Sequence, residues 1–350
     1  MVPSRKRKHV FFLLLNWICL FCVLPVWATA SEGEHTFSIY IENDFFVSRD
    51  DQYTNGLKLT WSRFGLSELP DDVLMHKWFY PVLRRIGFDR PDGAEKILSF
   101  SIGQNIYTPD DIESKDLAED DRPYGGITYA ELGFHRKLNR QMHTIGLCAG
   151  IVGPDSGAEK MQSAVHDLIN STDPQGWDHQ LKNEPVFCLI YDYKRKFYTS
   201  DGIESGLGSD MVFNTGTSLG TALTFYNLGL LFRWGWNIPG DCGNFPIAPA
   251  SCFNAEAREN FCRHPAKRYG AHIFLSANGR AVLRDVFLDG NTFRDSHSVN
   301  KRPVVGTFVG GLGLITGRVK TVISCVYQTK AFYRQKHNEM FGSVCCSLYY

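Results

Sequence analysis

Beyond its first 30 residues this 350-residue chain has no apolar run approaching the roughly 20 residues that a membrane-spanning helix needs. It has no excess of charge either, with 37 Lys and Arg against 37 Asp and Glu, and so lacks the basic footprint of a nucleic-acid binder. No C-x-x-C pair or close Cys/His grouping supports a zinc site. No G-x-S-x-G elbow supports a serine nucleophile. These gaps leave two architectures, a soluble exported protein or a transmembrane β-barrel.

What is present begins with an export signal. Arg5, Lys6, Arg7 and Lys8 form a basic start, Val10 to Val26 an apolar stretch, and Ala28-Thr29-Ala30 an A-x-A exit. Residues 1–30 are therefore expected to be a cleaved signal peptide, with 31–350 the mature domain. The competing reading is a retained anchor, against which Asn16 and Pro25 interrupt the stretch. Cleavage removes four basic residues and no acidic one, leaving about −4. It also removes Cys19 and Cys22, leaving eight cysteines. Cys242, Cys252 and Cys262 recur at ten-residue spacing in a Pro/Gly-rich stretch. In an oxidising compartment two of them can pair, although sequence does not say which. The adjacent Cys345 and Cys346 should point to opposite faces of a strand.

The mature chain alternates. In "YTNGLKLTWS", Leu57, Leu59 and Trp61 oppose Thr54, Gly56, Lys58, Thr60 and Ser62. In "ILSFSIGQNIY", Leu98, Phe100, Ile102 and Ile106 oppose Ser99, Ser101, Gly103 and Asn105. In "LTFYNLGLLFRWGW", Tyr226, Leu228, Leu230, Phe232, Trp234 and Trp236 share one face. Successive strand side chains point to opposite sides, so each segment has one apolar and one small or polar surface. A soluble sandwich alternates too. Aromatics at the ends of the apolar rows, polar opposite faces and a closing strand "MFGSVCCSLYY" favour an all-β, transmembrane antiparallel β-barrel.

Twelve segments are expected, near 36–46, 53–64, 95–106, 124–137, 141–152, 184–198, 209–219, 223–236, 267–279, 301–315, 317–331 and 339–350. An even number suits a single-chain bacterial barrel. The count carries a tension, because 65–94 and 237–266 become connections on the inner side, where barrels have short turns. An additional strand near 280–290 would change it. The outer connections are 47–52, 107–123, 153–183 and 332–338.

One of these holds a helix. In "DSGAEKMQSAVHDLINSTDPQGW", Gln162 and His166 are four apart and share a face. Met161, Val165, Leu168 and Ile169 form a neighbouring apolar stripe expected to dock on the barrel rim. Asp155 or Ser156 can cap the helix, and Pro174 and Gly176 stop it. The plain reading of His166 is a surface histidine bonded to Gln162, and the chemical one is a general base. In "IENDFFVSRDDQYTNGLKLTW", Asn43, Asp44 and Thr54 offer hard oxygen donors suited to Ca²⁺. Their plain reading is turn-forming polarity at a strand end. Asn43 continues the lipid-facing Phe37-Ile39-Ile41 row, while Asp44 continues Ser38-Tyr40-Glu42 toward the lumen.

The stretches "ENDFF", "DDQYTNGLKLTW", "GQNIYTPDDI", "DRPYGG", "GPDSGAEKMQSAVH", "PQGWDHQLKNEP", "FLDGNTFRDSHSV" and the "FGS" closing strand, in this order, resemble the outer-membrane lipid A 3′-O-deacylase family, LpxR-type. The resemblance spans nearly the whole mature chain. It implies a monomeric twelve-stranded barrel of the bacterial outer membrane, acting on lipid A of lipopolysaccharide among the outer-membrane lipids, without nucleic acid. It implies Ca²⁺ as cofactor, a histidine that activates water, and loss of the 3′-linked acyloxyacyl chain. Carried over, the histidine is His166 and the glutamine Gln162. The Asn-Asp pair is Asn43-Asp44, and the threonine Thr54. The family lysine is best matched by Lys115, one residue off the expected spacing. The family acid that follows the histidine is not in its place, where Thr172 stands with Asp173 beside it. The alternatives are a barrel that hydrolyses phospholipid esters and a non-catalytic pore or adhesin.

Overall fold

Alternation requires a sheet with two different solvents, and a closed barrel provides them. The computed structural model describes residues 35–44, 52–66, 80–85, 87–88, 93–169, 171–200, 206–243, 246–247 and 269–350. Its strands are β1 (His35–Asn43), β2 (Gln52–Leu66), β3 (Glu95–Thr108), β4 (Gly125–Leu138), β5 (Gln141–Val152) and β6 (Glu184–Thr199). They continue as β7 (Leu207–Gly220), β8 (Leu223–Trp236), β9 (Tyr269–Asp285), β10 (Val304–Thr316), β11 (Val319–Gln328) and β12 (Glu339–Tyr349). Each pairs antiparallel with its neighbours in sequence, and β1 closes the ring on β12 from Thr36↔Tyr349 to Asn43↔Gly342. The helices are short: α1 (Tyr80–Arg85), α2 (Ala158–Ile169) and α3 (Val286–Asp289).

The outer face is the apolar one. On β8, Tyr226, Leu228, Leu230, Phe232, Trp234 and Trp236 are all exposed, an aliphatic band between aromatic ends. Phe100 and Ile102 on β3, Ile273 and Leu275 on β9, and Leu312 and Leu314 on β10 extend the belt. That is the surface a lipid bilayer accepts and water does not. Cys345 is buried toward the lumen while Cys346 is half-buried on the other face, as adjacent strand residues must be. No separate strand follows β9. It runs to Asp285, whose carboxylate then accepts from Phe287 N at 3.0 Å and starts the single turn of α3.

The long inner connection after β8 does not hang below the barrel. Its described residues, 237–243 and 246–247, fold into the lumen. Ile238, Asp241, Cys242 and Ile247 are buried, and Ile247 N donates to Glu42 Oε1 on β1 at 2.6 Å. On its way Asp241 meets two cations of the wall, Arg233 of β8 and Lys320 of β11, the latter at 2.5 Å. Arg233 also grips Asp210 of β7 through Nε to Oδ1 at 2.8 Å and Nη2 to Oδ2 at 2.6 Å. Its Nη2 donates further to the carbonyls of Pro239 and Asp241, both at 3.0 Å. Buried charges survive only when paired and hydrogen-bonded, and each of these is. Elsewhere in the lumen Lys58 pairs with Glu131, and His135 sits between Ser99 at 2.8 Å and Thr144 at 2.9 Å. For the described part of the second inner connection, residues 237–243 and 246–247, the length is accounted for by packing inside the barrel. Cys252 and Cys262 lie outside the described residues, so the expected loop disulfide does too.

Candidate active site on the outer wall

The outer ends of β1 to β4 and the β5–β6 connection build one locality. It begins with alternation on β1. Ser38, Tyr40 and Glu42 are buried in the lumen, so Asn43 ends the outward row of Phe37, Ile39 and Ile41. Its side-chain Nδ2 donates across to the Thr54 carbonyl at 2.8 Å. Asp44 follows and is buried.

Thr54 stands at an irregularity. The β2–β3 register slips between Tyr53 and Asn55, so one residue of β2 has no opposite number. The bulge lets Tyr53 keep its place in the lumen, where its hydroxyl donates to Glu42 Oε2 at 3.0 Å. Thr54 is freed to bond Thr108 of β3, hydroxyl to hydroxyl at 2.8 Å. Asn43, Thr54 and Thr108 thus form a hydrogen-bonded chain across three adjacent strands.

The helix α2 lies against the outside of the wall, touching β3 and β4. Its docked side is Ala158, Gln162 and His166, spaced i, i+4, i+8 and all buried. Ala158 packs with Ile106 of β3, Ile112 and Tyr124 of the β3–β4 connection, and Trp177. Gly126 of β4 makes this approach possible, since a Cβ there would lie 2.0 Å from that of Ala158. Before the helix the chain makes a 3₁₀ turn over Pro154–Ser156 and reverses at Gly157, with φ of 69°. The expected docking stripe is corrected here. Met161 is exposed and Val165 only half-buried, whereas the side chains of Leu168 and Ile169 lie outside the described residues. The exposed side of the helix carries Glu159, Lys160, Met161 and Asp167, and the small and polar residues Ala158, Gln162 and His166 face the wall.

The two polar residues of the docked stripe are held separately. Trp177 Nε1 donates to Gln162 Oε1 at 2.9 Å, and its ring lies 5.0 Å from that of Tyr124. With Oε1 fixed, the Gln162 amide cannot turn over, and its buried Nε2 has no partner among the described residues. His166 Nδ1 donates to the Thr172 carbonyl at 2.5 Å. A carbonyl only accepts, so Nδ1 carries a proton.

The remaining sequence-derived candidates are less engaged. Lys115 is exposed on the β3–β4 connection, and Asp173 is exposed, its carbonyl accepting from Gln175 Nε2 at 3.2 Å. The position expected to hold an acid supplies a main-chain oxygen instead. Trp177, Thr108 and the Thr172 carbonyl are residues that sequence reasoning did not single out. Replacing Trp177 by Phe keeps the ring and deletes the donor, stranding Gln162 Oε1 at a cost of about 1–3 kcal/mol. Limited proteolysis should then cut the β5–β6 connection faster, while the barrel keeps its heat-modifiable mobility in gels.

As for a metal, the donors at the β1–β2 end are the Asn43 amide oxygen, the Asp44 carboxylate and the Thr54 oxygens. All are hard, and no group of three or more His, Cys, Asp and Glu residues suited to a metal occurs among the described residues. In kind the set fits an oxygen-seeking cation such as Ca²⁺ and not zinc.

A family model described as "LpxR: Outer membrane protein LpxR" matches residues 14–350. Among solved structures, LpxR from Salmonella typhimurium is similar at 17% identity and a TM-score of 0.68, covering 90% of this chain and 100% of that one. The β domain of the Bordetella autotransporter BrkA aligns at 9% identity and a TM-score of 0.41, over 91% of this chain and 99% of that one. No curated protein matches.

Proposed function

Since the chain belongs to the LpxR outer membrane protein family, whose members are lipid A deacylases, we propose that it hydrolyses the 3′-linked acyloxyacyl ester of lipid A in a Ca²⁺-dependent reaction with His166 as general base. The observation that carries this reading is the hydrogen bond from His166 Nδ1 to the Thr172 carbonyl on a helix face turned to the barrel wall. With Nδ1 carrying a proton, Nε2 would be the atom that takes one from water, and the Thr172 carbonyl would support the imidazolium that forms, because its dipole accepts the Nδ1 proton more strongly once the ring is charged.

Gln162 contributes the donor that Trp177 leaves unused. Its Nε2 is set to meet an oxygen of the bound ester, where a buried donor is worth most as negative charge develops. Asn43, Asp44 and Thr54 would hold the cation, which supplies electrostatic stabilisation of the oxyanion when bound. Thr108 fixes the Thr54 hydroxyl and so keeps the β1–β2 end in shape. A lipid ester would be met on the outward side of the wall, where α2 packs on β3 and β4. Lys115, exposed on the β3–β4 connection, would meet an anionic headgroup.

Mass spectra of lipid A from a host with and without the chain test the proposal. Loss of one acyloxyacyl unit is expected, abolished by a calcium chelator and restored by added Ca²⁺. An unchanged lipid A with folded protein and Ca²⁺ present overturns it, and acyl loss from phospholipids alone points to the other hydrolase. Activity that persists in excess chelator removes the calcium assignment.

A further inference from the structure

The fold brings two cysteines together at the base of the functional connection. Cys148 of β5 and Cys188 of β6 are direct cross-strand partners, Cys148↔Cys188, in the register that also pairs Leu147↔Leu189 and Ala149↔Phe187. Both side chains face the lumen and are buried, with 6% and 7% of their surface exposed. Both are thiols in the structure. Among the described cysteines no other two stand opposite each other across a strand pair.

We propose that Cys148 and Cys188 are joined by a disulfide in the exported protein, stapling β5 to β6 beneath the segment that carries α2. Directly opposed antiparallel residues have Cα atoms about 4.5 or 5.5 Å apart, according to their place in the ladder. Both distances fall inside the roughly 4.4–6.8 Å that a disulfide spans. The Cys188 thiol is free to swing toward its partner. Its hydrogen bond to the Leu223 carbonyl is long, at 3.9 Å, and its neighbour on β7 is Gly220, which has no side chain to wedge it. The compartment is the right one, because outer-membrane proteins cross an oxidising periplasm before they fold.

The chemistry is thiol–disulfide exchange with a protein disulfide oxidant of that compartment. One cysteine thiolate attacks the oxidant's disulfide, forming a mixed disulfide and releasing one oxidant thiol. The other cysteine then attacks the mixed disulfide, forming the S–S bond and expelling the second thiol. Two protons and two electrons pass from the cysteines to the oxidant, which ends as a dithiol. Burial in the closed barrel bars so large a reagent, so the bond forms while the chain is still unfolded. The closed loop contains residues 149–187, and with them His166, Gln162, Thr172 and Trp177.

The test is peptide mapping of the full-length protein, isolated from the outer membrane, acid-quenched, denatured and alkylated without reductant. A linked peptide containing Cys148 and Cys188, lighter by two hydrogens than its parts and separated by reductant, is expected. Cys148→Ser should expose Cys188 as a newly alkylated thiol, and Cys188→Ser should expose Cys148. Alkylation of both cysteines in the unreduced wild type overturns the proposal, and so does linkage of either to another cysteine. None of these outcomes depends on lipid A hydrolysis.

Discussion

Replacing His166 with glutamine should lower the rate of lipid A deacylation by about 10²- to 10⁴-fold, the usual share of a positioned general base. The expectation rests on one hydrogen bond. The Thr172 carbonyl accepts from Nδ1, so Nδ1 carries a proton and Nε2 is the nitrogen proposed to take one from water. Glutamine has no nitrogen lone pair to offer a proton, so the loss falls on the chemical step. It should appear in kcat more than in KM, because a general base acts on water and not on the binding of the lipid. The barrel should insert normally, since α2 lies outside the sheet and every ladder remains intact. Turnover close to that of the parent enzyme in folded, membrane-inserted His166→Gln protein would exclude His166 as the base.

The largest effect on stability is expected in the lumen. Arg233→Ala removes the guanidinium that joins Asp210 and Asp241 and satisfies two carbonyls of the inner connection. Both carboxylates are fully buried, and Lys320 and Lys196 answer only part of their charge. Breaking a buried pair from one side typically costs about 3–5 kcal/mol, because the surviving charges stay in place without their partner. Urea unfolding of the detergent-refolded barrel should show a correspondingly lower midpoint. A midpoint within error of the parent would mean that the filling of the lumen contributes little to holding the wall together.

How much of this was legible in the sequence follows from what alternation can encode. It reports which side of a wall a residue takes, and all twelve strands emerge from it, including the outward row of β8 and the place of Asn43 at the end of the β1 row. It places the end of β9 too early, at 279 and not at Asp285, because Gly279 and Arg280 break the apolar rhythm while the ladder to β10 continues. It is silent about what fills a barrel, so 237–266 reads as an inner connection of unusual length. Helical spacing groups Gln162 with His166 on one face, but the docking stripe it offers begins with Met161 and Val165, which the structure leaves exposed and half-buried. The partner of His166 was the least legible element. Every residue has a carbonyl, so nothing in the letters T-D at 172–173 distinguishes an orienting oxygen from any other.

A barrel is ordinarily a passage. With Asp241 and Ile247 of the inner connection lodged among Arg233, Lys320 and Glu42, this one is closer to a rivet. Planar-bilayer recordings of the inserted protein are then expected to show little conductance for small ions. Substrate and products then move sideways within the leaflet, and the supply of lipid is governed by diffusion in two dimensions.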